Sequence, residues 1–244
     1  MELHIYDSSV ELGRNAAECI AKKLNEAIAE KGKARMILSG ASQFDMFRYL
    51  VDQDVDWKNV EMFHLDEYIG LSESHPASFR KYLRDRFTNI VPVTPHFVNT
   101  EGDIGANLKA LTRELRKEAI DVGVIGIGEN GHIAFNDPPA DFDTREAYKV
   151  VDLDKKCRMQ QVGEGWFSSL EDTPAQAVSM TPYQIMQCRC IVSVVPDGRK
   201  AEAIRNTLEN EGVSNEIPAT LLKEHKEWYL YLDRESAAGF FAVR

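Results

Sequence analysis

The chain has 244 residues, 43% of them hydrophobic and 28% charged, with a formal net charge of −10. That length suits one sizeable α/β domain spanning residues 1–244. The acidic balance argues against nucleic acid, whose phosphates need a basic face. No apolar run approaches the roughly 20 residues of a membrane helix, and the start, MELHIYDSS, lacks the pattern of a signal peptide. Cys19, Cys157, Cys188 and Cys190 form no C-x-x-C pair and read as reduced thiols of a cytoplasmic protein.

Residues 3–6 form a short alternating segment, and Asp7-Ser8-Ser9 reads as a helix start. That helix is expected to run to about Glu30 with Val10, Leu12, Ala16, Ile20, Leu24 and Ile28 on one face, ending at Lys31-Gly32. Residues 35–38 form a compact strand of the kind buried in parallel sheets. Ser39, Gly40, Ala41 and Ser42 then open a helix through Phe44 and Phe47, as small residues do where backbone N–H groups meet an anion. A third strand, 60–65, empties into Asp66-Glu67-Tyr68. A helix over about 77–87 carries Arg80, Lys81, Arg84 and Arg86, read as a solvated basic face. A short segment at 96–98, a helix at 103–117 and a strand at 120–125 follow.

Beyond residue 140 the expected elements are a strand at 148–153, a polar helix or loop at 154–161, a helix entry at Thr181-Pro182, and a strand at 190–195. A turn at 196–200, a helix at 200–208, a helical turn at 218–222 and a last strand at 228–232 complete the chain, with the tail GFFAVR left unassigned. Alternating strands and helices without repeats or long linkers describe a doubly wound α/β domain.

Residues 126–139, GIGENGHIAFNDPP, concentrate the chemistry. A strand running into a glycine-rich turn presents His132 between Asn130 and Asp137. Histidine titrates nearest neutral pH and both gives and takes protons. An oxygen of Asp137 or of the Asn130 amide would fix its tautomer. A metal site built from His132, Asp137 and one or both of Asp66 and Glu67 lacks any ligand-type spacing. Asp66, at the carboxyl end of a strand where open α/β sheets bind ligands, is suited to take a proton from carbon next to a carbonyl or imine. That role requires water to be largely excluded and its pKa raised toward neutrality. A histidine acting at oxygen and a carboxylate acting at carbon are the equipment of an aldose–ketose isomerisation.

The segments FHLDEYIGLSESHPASFRKYL and GIGENGHIAFNDPP, with LSGASQF, PDGRKAEAI and IPATLLKEH, closely resemble glucosamine-6-phosphate deaminases (isomerases) and, more distantly, 6-phosphogluconolactonases. The resemblance implies a single-domain, modified Rossmann-like three-layer α/β fold with a mostly parallel sheet flanked by helices. It implies conversion of glucosamine 6-phosphate to fructose 6-phosphate and ammonia, with the galactosamine epimer or a lactone as alternative substrates. Asp66 then corresponds to the base moving a proton between C2 and C1, and His132 to the ring-opening acid–base supported by Asp137. Glu67 corresponds to a second acid of open role, Lys200 to a phosphate-binding lysine, and residues 40–42 to the phosphate loop. The partner implied is a small amino-sugar phosphate, with no cofactor, metal, nucleic acid or membrane; a homo-oligomer is compatible with the chain. Departures are Asn130 where an aspartate is frequent, a phosphate loop one residue short, and Gly163 where a phosphate-clamping arginine aligns. Arg158 is the candidate replacement for that arginine.

Overall fold

The computed structural model describes residues 1–40, 43–163 and 165–241, so Ala41 and Ser42 lie outside the described residues. In chain order the strands are β1 (Glu2–Tyr6), β2 (Ala34–Leu38), β3 (Val60–His64), β4 (Asp66–Tyr68), β5 (Thr94–His96), β6 (Val122–Val124), β7 (Tyr148–Asp152), β8 (Gln176–Met180), β9 (Cys190–Val195) and β10 (Trp228–Asp233). The helices are α1 (Ser9–Lys31), α2 (Phe44–Leu50), α3 (Phe79–Leu83), α4 (Ile104–Leu115), α5 (Lys155–Gly163), α6 (Pro182–Ile185), α7 (Ala201–Glu209) and α8 (Arg234–Phe241). Short 3-10 segments cover Trp57–Asn59, Gly198–Lys200 and Pro218–Glu224.

Seven strands form one sheet in the order β1-β10-β9-β6-β2-β3-β5, every neighbouring pair parallel. Alternation along each strand sorts side chains into two layers. Met36, Leu38, Val122, Val124, Val192 and Val194 pack under α1 and α2. Ile37, Phe63, Ile125, Ile191 and Val195 pack on the opposite face against α4, α7 and α8. From β2 the chain proceeds to β3 on one side, and from β6 to β9 on the other. The crevice above β2 and β6 is therefore the place where open α/β sheets bind ligands.

The long first helix starts where Ser8 accepts from the Glu11 N–H at 3.2 Å and stops at Gly32, whose φ of 80° only glycine takes without strain. Its buried face includes Leu12, Ala16, Ile20 and Leu24, as the spacing predicts, whereas Val10 is exposed. Asp66-Glu67-Tyr68 is not a loop: it is β4, the edge of a second, antiparallel sheet ordered β4-β8-β7. Leu65 is the junction, donating to the Leu38 carbonyl (2.9 Å) in the large sheet and accepting from Met180 N–H (2.9 Å) in the small one. The segment before Thr181-Pro182 is strand β8, and the unassigned tail begins within helix α8. No described helix is long and apolar enough to cross a membrane.

Candidate active site

A cavity with about 720 Å³ of empty space, part of it open to solvent, lies over the carboxyl ends of β2, β6 and β9. Ser39, Gly40, Asp66, Gly126, Gly128, His132 and Lys200 line it, together with Gln43, Phe79, Phe135, Gln161 and Trp166. Four separate sequence motifs therefore meet in one place.

Asp66 arrives there because the chain changes sheets at Leu65, which directs the next side chain over the end of the large sheet. Only 4% of the residue is exposed. Its Oδ1 accepts a 2.5 Å hydrogen bond from Ser39 Oγ. Burial pushes the carboxyl up to about 7, the Ser39 hydroxyl pulls it partly back, and the neighbouring Glu67 adds to the rise. A carboxyl poised there exists in both protonation states at neutral pH, as a proton-transfer group should.

His132 is held by its own turn. Gly131, at φ 81°, reverses the chain, and the Gly128 N–H donates to the His132 carbonyl at 2.9 Å. The imidazole lies directly over Gly128: a Cβ on that glycine would come within 2.1–2.4 Å of three ring atoms. Asn130 Oδ1 accepts from the His132 N–H at 3.0 Å and sits 2.6 Å from Nδ1. The amide orientation follows from Asn130 Nδ2 donating to Asp137 Oδ1 at 3.0 Å. Nδ1 therefore carries the proton, and Nε2 presents its lone pair. Asp137 Oδ1 is also 3.3 Å from Nδ1. Asn130 brings no charge, but the Asp137 carboxylate beside it supplies one for an imidazolium. Neither residue borders the cavity; both stand behind the ring.

Two further anchors keep this turn in place. Asn136, fully enclosed, donates to the Ile133 and Met180 carbonyls at 2.8 Å each, tying the turn to β8. Ala219 N–H donates to the Gly131 carbonyl at 2.8 Å, which explains what the IPATLLKEH segment does. Lys200 enters from the turn after β9. Asp197 there has φ 87°, an uncommon conformation for a residue with a side chain, held by its N–H donating to Asp233 Oδ2 at 3.0 Å. The Lys200 ammonium is buried, 3.6 Å from Glu129 Oε1.

The sequence matches the family of glucosamine-6-phosphate isomerases/6-phosphogluconolactonase over residues 7–230. The chain belongs to that family. Glucosamine-6-phosphate deaminases of Thermoanaerobacter pseudethanolicus and Streptococcus sanguinis are each 30% identical to it, over 93% of this chain and 90% of the first relative, and over 97% of both for the second. A monomeric glucosamine-6-phosphate deaminase of known structure matches with a TM-score of 0.89 at 28% identity, covering 98% of this chain and 100% of that one. A 6-phosphogluconolactonase from Shewanella baltica matches with a TM-score of 0.78 at 20% identity, covering 96% and 97%, a likeness of fold.

Within this glucosamine-6-phosphate isomerase/6-phosphogluconolactonase framework, two expected site residues have other work. Glu67 does not reach the cavity. Its wholly buried carboxylate accepts from Tyr68 N–H (2.9 Å), Phe79 N–H (3.2 Å), Arg80 N–H (2.8 Å) and Ser78 Oγ (2.9 Å), with Arg80 Nε 3.4 Å away. It fastens the start of α3 to β4, one residue from Asp66. Among the described residues no group of three or more histidine, cysteine or acidic side chains is placed to hold a metal ion, so His132 and Asp137 are not joined in such a site by Asp66, Glu67 or both. Arg80 is correspondingly buried, not part of a solvated basic face. Glu67→Gln should lower the unfolding free energy by about 1–3 kcal/mol, because its amide NH₂ would meet donors where only acceptors fit. Chemical denaturation with an unchanged midpoint would contradict that role.

Arg158 is likewise turned away. Its Nη2 donates to the Leu170 and Thr173 carbonyls, bracing the loop after α5. From that part of the chain the cavity receives Gln161 and Trp166 instead. These two and Gln43 were not singled out from the sequence. A glutamine or tryptophan with no neighbouring chemical residues carries no local signal, and only the fold brings them in.

Proposed function

We propose that this protein is an amino-sugar-phosphate deaminase that converts glucosamine 6-phosphate and water to fructose 6-phosphate and ammonia. The observation that carries the proposal is the pairing, in one cavity, of a buried carboxyl held near neutrality with a histidine whose Nδ1 is already engaged. His132 Nε2 is the group for proton traffic at oxygen: it takes the proton from the C1 hydroxyl and returns one to the ring oxygen as the pyranose opens. Asp66, as carboxylate, takes the C2 proton of the open aldehyde while the C1 oxygen takes a proton from the substrate's C2 ammonium, leaving an enolamine. The same carboxyl returns a proton to C1, which generates an imine at C2. Water adds to that imine, ammonia leaves, and the 2-ketose remains. Lys200 and the Ser39–Gly40 backbone hold the phosphate at the other end of the substrate. Cys19, Cys188 and Cys190 are free thiols, in keeping with the cytoplasmic setting inferred for such an enzyme.

A hydrolase acting on a sugar lactone would use His132 to activate water and would have no use for a carbon base at Asp66. Purified protein incubated with glucosamine 6-phosphate should therefore release ammonia and fructose 6-phosphate in equal amounts. No release from either glucosamine or galactosamine 6-phosphate, alongside rapid lactone hydrolysis, would sink the proposal.

Lys200→Ala tests the other end of the site. Loss of a charge-assisted contact of about 1.5–3 kcal/mol should raise KM for the phosphorylated substrate by roughly 10- to 100-fold. Binding of unphosphorylated glucosamine should change little. Equal effects on both sugars would remove the phosphate from Lys200.

A further inference from the structure

One buried side chain of the cavity has no part in the proton transfers above. Gln43 is 6% exposed and sits just before α2. Its Nε2 lies 3.5 Å from the Val194 carbonyl, at the outer limit of a hydrogen bond. Its Oε1 is buried and has no hydrogen-bond partner among the described residues. A buried acceptor left unpaired costs about 1–3 kcal/mol, so an unpaired one in a ligand cavity marks a place where a donor is to arrive.

The position of the amide follows from Gly126. A Cβ built on that glycine would stand 3.2 Å from Gln43 Nε2, and Gly126 lines the catalytic cavity. Gln43 also borders a neighbouring acidic cavity that contains Asp45 and Asp197, but Gly126 does not. Gln43 itself lines the catalytic cavity, with its amide nitrogen at the Gly126 rim. Val194 is the last residue but one of β9, six residues before Lys200, and Gly126 follows β6, six residues before His132. The amide thus lies above the two strands whose ends lead to the phosphate cation and to the proton-handling histidine.

With Nε2 directed at a main-chain carbonyl, Oε1 can only accept. A phosphate dianion offers acceptors alone and is the wrong complement. We propose that Gln43 Oε1 accepts a hydrogen bond from a hydroxyl of the sugar chain, between the phosphate and the reacting carbons, and so reads that hydroxyl's configuration. This assignment rests on the site being one for an open-chain sugar phosphate, as proposed above. Gln43 becomes a specificity-determining residue, with no share in the proton transfers. A site built to bond a hydroxyl rejects the analogue that places it elsewhere, because the buried acceptor then stays unpaired.

Titration calorimetry on wild type and Gln43→Leu, using glucitol 6-phosphate, galactitol 6-phosphate and inorganic phosphate, tests the assignment without turnover. Neither hexitol phosphate has an amine, so any effect belongs to hydroxyls. Wild type should separate the two epimers. Gln43→Leu should weaken the preferred one by about tenfold, bring the two within about twofold, and leave inorganic phosphate unchanged. Should the leucine variant fail to fold, Gln43→Met carries the same expectation. Equal loss for both epimers, a matching loss for inorganic phosphate, or no loss at all would overturn it. Ammonia release by a wild type that binds neither hexitol phosphate would overturn the hydroxyl assignment and leave the deaminase proposal standing. Epimer discrimination lost in the variant, with no ammonia from wild type, would do the reverse.

Discussion

Asp66→Asn should lower turnover by about 10²- to 10⁴-fold, the range of general-base catalysis, while making the protein more stable at alkaline pH. The two effects have one cause. Burial holds the carboxyl at about 7 in the folded state, against 3.8 when unperturbed. The folded protein therefore binds more protons than the unfolded chain between those values, and stability falls as pH rises through that window. Above about pH 7 the full penalty of a buried carboxylate is present; below about pH 4 it is gone. Asparagine keeps an oxygen for the Ser39 hydroxyl and never ionises. Each unit of pKa shift corresponds to about 1.4 kcal/mol, so the variant should gain on the order of a few kcal/mol at pH 8–9 and nothing at pH 4. Thermal melts across that range, paired with turnover at neutral pH, provide the check. A variant that loses stability equally at every pH would make Asp66 a packing residue.

Gly128→Ala should abolish most activity without touching a reacting group. The methyl would overlap three atoms of the His132 ring, and the ring has nowhere to go without leaving Asn130 Oδ1 and Asp137 Oδ1. A displacement of about 1 Å at such a centre is enough for a loss of roughly 10²-fold. The loss should fall on kcat, with KM nearly unchanged, because Lys200 and the Ser39–Gly40 segment are untouched. A normal kcat would show that His132 is not needed where the structure places it. A large rise in KM alone would reassign Gly128 to substrate binding.

Much of the large sheet is legible in the sequence because its strands are short apolar runs between turn residues, as in residues 35–38 and 190–195. The second sheet is not. Asp66-Glu67-Tyr68 is three residues long and two-thirds acidic, and its strand character comes from pairing with β8, over a hundred residues away. Arg80 belongs to a run of basic residues that looks solvated, and its burial depends on Glu67, thirteen residues earlier. At the site, His132, Asn130 and Asp137 could be grouped because eight residues span them. Arg158 could not be judged in the same way, since its carbonyl partners at Leu170 and Thr173 emerge only when the loop folds back. Gln43 follows two small residues and reads locally as the start of a helix. Its unpaired oxygen exists only once β6 and β9 lie beneath it.

The claim at the centre is that a buried carboxylate, poised near neutrality, moves the carbon-bound proton. Its most direct measurement is the titration of the Asp66 carboxyl by carbon-13 NMR, set against the pH dependence of kcat/KM for glucosamine 6-phosphate. The expected result is a single titration at about 7 that coincides with the acid limb of kcat/KM, activity rising as the carboxylate forms, and the loss of that limb in Asp66→Asn. An Asp66 that titrates near 4, or an acid limb that persists in the residual activity of the variant, would contradict it.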